Sequence, residues 1–417
     1  MFRHLLPRMW PVCRELMTPV GFLRQGKRTV ALSLVLCGVS GAVWADSAPT
    51  DPDLDQILQT AKETRSSAVV LMRQGEVVLE WRDDVLEPIE TMSVTKSVVA
   101  LGVARMLTTG ELASLDMPVA DVFPEWRQGR KSKITVRHLM NHSSGLQNHP
   151  HTGEEIYPSP DFVQLALAAE LDDEPGERFR YNNKATNLIA GLFPRLTGRD
   201  MAQYIGEELF EPLGIEEWTW QRDDAGNPHG MAGLRLHPRD LARMGQLLLD
   251  GGSANGQYLI APEPISKLTR PGRDDTRFHG LLWWLQPAWS HFIVDEQTIQ
   301  ALREAGVDDR LVEQLQAVKG RYEDSAQLGD ALEATLGPDW ESIVEEQLSA
   351  RDLRLSKTEH SEDSAAWFGS GYLGQYLVVV PESNVVGVRM VRYFEGISSE
   401  PSMPEFRQMV VDWARSP

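Results

Sequence analysis

Ser93-Val94-Thr95-Lys96 puts a hydroxyl and an amine three residues apart at the start of a run that reads as buried helix. On a helix, positions i and i+3 share a face, so Lys96 can lie beside the Ser93 hydroxyl. A serine hydroxyl is a poor nucleophile at neutral pH and needs a neighbouring base to take its proton. A lysine can be that base where burial disfavours its charged form. Val98, Val99, Ala100, Leu101, Val103, Ala104, Met106 and Leu107 follow. A helix apolar on nearly all sides belongs in a core, where a lysine is desolvated. Four residues alone are weak evidence and fit a serine helix cap followed by a lysine that reaches for solvent. The rest of the chain has to supply partners.

Two further stretches do so. In Pro175-Gly176-Glu177-Arg178-Phe179-Arg180-Tyr181-Asn182-Asn183, Pro-Gly makes a turn and Tyr181 opens the loop before a helix. A phenol beside a cation loses its proton more easily and can relay protons as a base. Asn183 offers an amide to Lys96 or to a substrate carbonyl. The bland reading is a core tyrosine with a capping asparagine. In Trp367-Phe368-Gly369-Ser370-Gly371-Tyr372-Leu373-Gly374-Gln375, glycines enter a strand. Glycine there allows close approach of another backbone, and N–H groups along that edge can stabilise an oxyanion. A bulge or bent strand entry is the alternative.

The elements that must position these residues follow from periodicity. A first helix carries Leu54, Ile57, Leu58 and Ala61 on one face. Residues 68–72 and 77–81 flank Arg73-Gln74-Gly75-Glu76, a hairpin. Residues 376–380 and 385–391 flank Pro381-Glu382-Ser383-Asn384, a second hairpin, and a last helix runs over 404–415. Between the hairpins the pattern predicts helices at 96–109, 135–141, 161–170, 184–197, 200–210, 238–250 and 262–270. Strands at both chain ends with helices between predict one sheet assembled from the two termini. Residues 290–364 differ: they are acidic and have few strand signals. Leu311, Leu315 and Val318, then Leu328, Leu332 and Leu336, then Ile343, Val344 and Leu348 make helical stripes. These read as an insertion of three or four short helices that bury against each other or the main body.

The chain has 417 residues and a formal net charge of -19. Such a chain repels phosphate backbones, so no nucleic-acid partner is expected. Arg24, Lys27 and Arg28 precede an apolar stretch from Val30 to Val43 that ends in Val43-Trp44-Ala45. Residues 1–45 read as a signal peptide or targeting segment, with Met17 a candidate start. Export to the periplasm or medium is expected, with no stable membrane span after cleavage; an uncleaved leader would anchor the chain instead. Both cysteines, Cys13 and Cys37, lie in this leader, which leaves the mature part without disulfide or thiolate chemistry.

Ser93 with Lys96, Tyr181 with Asn183, and Gly369-Ser370-Gly371, in that order, resemble the serine β-lactamase and penicillin-binding-protein superfamily in its class C-like esterase and amidase branch. Residues 134–146, Glu211-Pro212-Leu213-Gly214 and 238–243 are similar to it too. The likeness covers roughly 65–290 and 365–393. It implies an α+β (α/β sandwich) fold: an antiparallel sheet of N- and C-terminal strands flanked by helices, and an all-helical subdomain with the active site between them. On that map, 46–289 and 365–417 form the hydrolase domain and 290–364 an acidic insertion, a possible cap or a docking surface for a protein partner. The resemblance also implies roles. Ser93 is the nucleophile; Lys96 and Tyr181 move its proton. The N–H groups of Ser93 and Tyr372 form the oxyanion hole, and Asn183, Gly369, Ser370 and Gly371 contact substrate. No cofactor or metal is implied.

One departure narrows the substrate. Gly369 stands where penicillin-recognising members carry a lysine that meets the substrate carboxylate. The expected reaction is hydrolysis of an ester or small amide through an acyl-serine. The alternatives are a β-lactamase, a D,D-carboxypeptidase acting on cell-wall peptide, or a non-catalytic binding or scaffold protein on the same fold. His138 and His142 have metal-ligand spacing but no acidic ligand nearby, and read as structural. Trp283 and Trp284 fit either pocket or core.

Overall fold

A computed structural model describes residues 51–416, apart from 85–86, 150, 349–350, 352 and 394–402. The readings made on the leader lie outside these residues. Among the described residues, no helix is long and apolar enough to cross a membrane.

The six strands of the main sheet are β1 (Ala68–Arg73), β2 (Glu76–Arg82), β3 (Trp284–Pro287), β4 (Ser364–Gly371), β5 (Gln375–Val380) and β6 (Val385–Met390). Their order is β2-β1-β6-β5-β4-β3, and every neighbouring pair is antiparallel. The N-terminal hairpin therefore completes a sheet begun by the C-terminal one, as the patterning predicts. Val69, Leu71, Val378 and Val380 face one side; Val70, Met72, Leu377 and Val379 face the other. A strand alternates its side chains between faces, so strands buried on both faces read as continuous apolar runs.

Helices α1 (Pro52–Glu63), α2 (Thr95–Thr109), α4 (Pro238–Leu249) and α5 (Phe406–Arg415) cover that sheet, and α3 (Asn183–Ala190) lies in the helical subdomain beside them. Helices α1 and α5 lie on the first face, with Ile57, Ala61, Val410 and Val411 in its core. Helices α2 and α4 lie on the second, in the larger core that continues through α3 into the helical subdomain. The predicted cap Asp161 accepts from Gln164 N at 2.9 Å ahead of helix Phe162–Ala168. The helix expected over 184–197 is two, α3 and Leu192–Thr197. Pro194 is the reason: it has no N–H for the carbonyl four residues back.

The segment from 290 to 360 holds the short helices expected of the insertion and, in addition, a small sheet. Helices Glu296–Glu304, Asp309–Leu315, Ser325–Leu336 and Trp340–Gln347 are present. So is a three-stranded sheet of Ser290–Val294 between Gly320–Tyr322 and Lys357–His360. The helical stripes bury against each other: Ile299, Leu302, Leu315, Val318, Leu332 and Leu348 form a core of their own. The segment leaves the main sheet after β3 and returns into β4 at the end where Pro287 pairs with Ser364. At about 3.3 Å per residue along β4, that end is roughly 20 Å from Gly371.

Arg389 on β6 is fully buried and ties the termini together. It donates to Ser66 Oγ (2.8 Å), Thr64 O (3.0 Å), Leu373 O (3.2 Å) and Gly374 O (2.6 Å). Burial lowers its pKa to about 10. Removing it orphans the buried carbonyls of Leu373 and Gly374 and frees the partly buried Thr64 carbonyl. Arg389→Met should cost about 3 kcal/mol or more in urea-unfolding free energy; a variant as stable as the parent would contradict this bonding.

Candidate active site

Ser93 lies in a 3-10 turn, Met92–Val94, that runs directly into α2. Thr91 anchors the turn. Its N–H donates to Leu234 O at 2.8 Å, its hydroxyl donates to the same carbonyl at 3.1 Å, and that hydroxyl lies 2.9 Å from Thr95 Oγ1. Strand Leu234–Leu236 pairs with Ile89–Glu90, which fixes this approach. Met92 has φ 48, the left-handed region that non-glycine residues seldom use. The surrounding bonds hold that strain. The outcome is a half-buried Ser93 with Lys96 one turn deeper, 3% exposed.

Lys96 Nζ is 3.0 Å from Ser93 Oγ and donates to Met231 O at 2.7 Å. It also sits 5.0 Å from the centre of the Tyr181 ring. The three residues expected to do the chemistry are thus together. Met231 is held in turn by α3: its N–H donates to Asn187 Oδ1 at 3.0 Å. The chain can lie that close because residue 230 is glycine; a Cβ there would be 2.1 Å from Thr186 O. Sequence reasoning missed Met231, since a carbonyl carries no side-chain signature.

Asn182, and not Asn183, caps α3, accepting from Ala185 N at 2.9 Å. Its amide also donates to Leu146 O at 2.6 Å. Asn183 is buried, its N–H donates to Asn148 Oδ1 at 3.2 Å, and its own Oδ1 has no hydrogen-bond partner. That orphaned acceptor suits a substrate or reaction N–H. Lys184, next in sequence, is 1% exposed and paired with Glu155. This ion pair tethers the short helix Thr152–Glu155 to α3, and no local sequence signal marks it.

The glycines of β4 meet the nucleophile turn directly. A Cβ on Gly371 would lie 3.0 Å from Ser93 N and 2.9 Å from Thr91 O. A Cβ on Gly369 would lie 2.9 Å from both Ser97 Oγ and Val94 Cγ1. A side chain at position 369 would have to displace the Ser97 hydroxyl and the Val94 methyl. Ser370 is half-buried and alternates onto the other face, with Phe368 and its cross-strand neighbour Trp284. Tyr372 is partly exposed at the start of a turn in which Leu373 has φ 66. Arg389 pins that turn through Leu373 O and Gly374 O.

An aromatic wall closes the other side. Trp284 stacks on Tyr181 at 6.2 Å and 15° and on Phe368 at 6.3 Å. Phe179 meets His142 and His279 edge-on or tilted. Trp283, by contrast, is in the core. His138 closes a capping box with Thr135 at the start of helix Val136–Met140, and His142 lies beyond that helix. The two histidines do not share a helix face. Among the described residues, no group of three or more potential ligands is placed to hold a metal.

His142 and His279 are both buried, with ring centres 5.0 Å apart. Burial holds His279 down to about 3. Burial, with His279 and Lys96 nearby, holds His142 well below the ordinary range. Unfolded, both titrate near 6.5. Below that pH the unfolded chain binds more protons than the folded one, so stability is complete above about 6.5 and falls as pH drops. The slope is about 1.4 kcal/mol per pH unit for each such group. Unfolding free energies should fall from pH 6.5 to 4.5, and less steeply in His279→Phe. Equal slopes in parent and variant would contradict this.

The family model described as Beta-lactamase matches residues 54–411. Esterase EstB of Burkholderia gladioli is 29% identical over 203 residues, 41% of this chain and 50% of that protein. The 6-aminohexanoate-dimer hydrolase of Paenarthrobacter ureafaciens is 26% identical over 232 residues, 50% of this chain and 58% of that protein. The match thus spans about half the length of these relatives. A penicillin-binding-protein homologue from Caulobacter crescentus superposes with a TM-score of 0.57 at 18% identity, over 88% of this chain and 99% of that one, which shows the shared fold. With a model match over most of its length, the chain belongs to the Beta-lactamase family.

Proposed function

We propose that this protein is a serine hydrolase of esters or small amides that works through an acyl-Ser93 intermediate. The observation that carries the proposal is the buried Lys96 amine, 3.0 Å from Ser93 Oγ and beside the Tyr181 ring. Ser93 Oγ attacks the substrate carbonyl carbon while its proton passes to the Lys96–Tyr181 unit. Two titratable groups this close act as one coupled base. The carbonyl oxygen becomes an oxyanion beneath Ser93 N–H and the Tyr372 N–H that follows Gly371. One such donor is worth about 10²–10³ in rate. The proton then passes to the leaving alcohol or amine, whose bond to carbon breaks. Water repeats the sequence against the acyl-enzyme and frees Ser93.

Glycine rather than lysine at 369 supports esters and short amides over penicillins, cephalosporins and D-Ala-D-Ala peptides, because that position offers no cation to a carboxylate. The names of the esterase and the amide-dimer hydrolase among the relatives support the same class. The basic and apolar leader supports export to the periplasm or medium. The separate core of the 290–364 insertion, and its attachment at the far end of β4, support an added module rather than part of the catalytic scaffold; a docking surface for a protein partner fits it better than a cap.

Purified protein should hydrolyse short-chain p-nitrophenyl esters far faster than a chromogenic cephalosporin. Ser93→Ala should lower ester turnover by at least about 10³-fold while staying folded. Undiminished activity in that variant would overturn the acyl-serine reading. Efficient cephalosporin turnover would overturn the reading of Gly369.

A further inference from the structure

His142 bonds the backbone on either side of Tyr181. Its backbone carbonyl accepts from Arg180 N at 2.7 Å. Its Nδ1 accepts from Asn182 N at 3.2 Å. These are the residues immediately before and after Tyr181. The His142 ring itself packs on the Tyr181 ring, with centres 4.6 Å apart. One histidine thus grips the tyrosine from both sides and along its face.

The grip requires a particular proton arrangement. An imidazole nitrogen that accepts from a backbone N–H carries no proton. Nδ1 must therefore be bare and the ring neutral, with the proton on Nε2. Nε2 is buried and has no hydrogen-bond partner. Burial keeps the ring neutral, and His279, from the segment before β3, and Lys96, from α2, oppose a charge on it; Tyr181 lies against its face. The backbone at His142 is unusual too, with φ 56. Asparagine and histidine tolerate this region better than most residues, and strain at such positions collects where function needs it.

We propose that His142 is a positioning residue for Tyr181: as a neutral Nε2–H tautomer it fixes the backbone on both sides of the tyrosine and so sets the phenol against Lys96 and Ser93. The proposal rests on the hydrolase reading given above. A misplacement of about 1 Å at a reacting group can cost about 10²-fold in rate, which sets the scale of the effect.

Two variants separate positioning from packing. His142→Asn keeps an acceptor at the place of Nδ1 and accepts the left-handed backbone, but loses most of the ring. His142→Phe keeps the ring and loses the acceptor. With a p-nitrophenyl ester, kcat should fall about 10- to 100-fold in His142→Phe, with KM within about threefold of the parent, and His142→Asn should recover most of that loss. A purely structural role gives the reverse order or equal rates, and would overturn the proposal. If His142→Phe does not fold, nitrogen-15 NMR of the parent decides. The His142 ring should be the neutral Nε2–H tautomer and should not titrate between pH 8 and 5. An Nδ1–H tautomer, or titration in that window, would overturn it. Retained activity in Ser93→Ala would instead remove the hydrolase reading and leave the NMR result to judge the grip on Tyr181.

Discussion

A lysine amine that is 3% exposed has to be met by oxygen atoms, and the hydroxyl of Ser93 and the carbonyl of Met231 meet that of Lys96. The first contact belongs to one helical turn. The second spans 135 residues and obliges the chain to bring the loop at 229–232 against α2. Much of the helical subdomain serves that requirement. Asn187 on α3 holds Met231 N, the glycine at 230 lets the loop lie on α3, and the short strand Leu234–Leu236 fixes Thr91 just ahead of the nucleophile. Leaving a buried amine or carbonyl unmet costs more than the bond itself contributes, so these contacts stand or fall together.

The sheet serves the same turn from the opposite side. β4 brings Gly371 so near that a methyl group there would touch Ser93 N. Arg389, buried in β6, fixes the carbonyls that follow Tyr372 and reaches back to Thr64 and Ser66 beside the N-terminal hairpin. A site placed between a sheet made from both termini and a helical subdomain thus has each wall held by residues far away in sequence. At Gly369 the same strand packs against α2, where a Cβ would meet the Ser97 and Val94 side chains.

Where a signal is local, the sequence carried it. The two hairpins, the apolar α2 and the Ser93–Lys96 spacing follow from periods of two and of 3.6 residues. Ser93, Lys96, Tyr181 and the glycines of β4 could be picked out because their side chains, or lack of them, have specific chemistry. What escaped has no local mark. Gly320–Tyr322 and Lys357–His360 are short and polar, and become strands only because Ser290–Val294 lies between them. Met231 acts through a carbonyl that every residue has. His142 resembled a loop histidine; its φ and its bonds on either side of Tyr181 exist only once the tertiary fold brings 142 to 180–182.

The central claim is that the buried amine activates Ser93 for covalent chemistry. Mass spectrometry of protein mixed with a slowly deacylated ester and quenched in acid tests it most directly. The account predicts a mass increase of one acyl group, carried on the peptide that contains Ser93 and absent in Lys96→Met. Turnover of the ester with no covalent adduct, or an adduct formed as fast without Lys96, would contradict it.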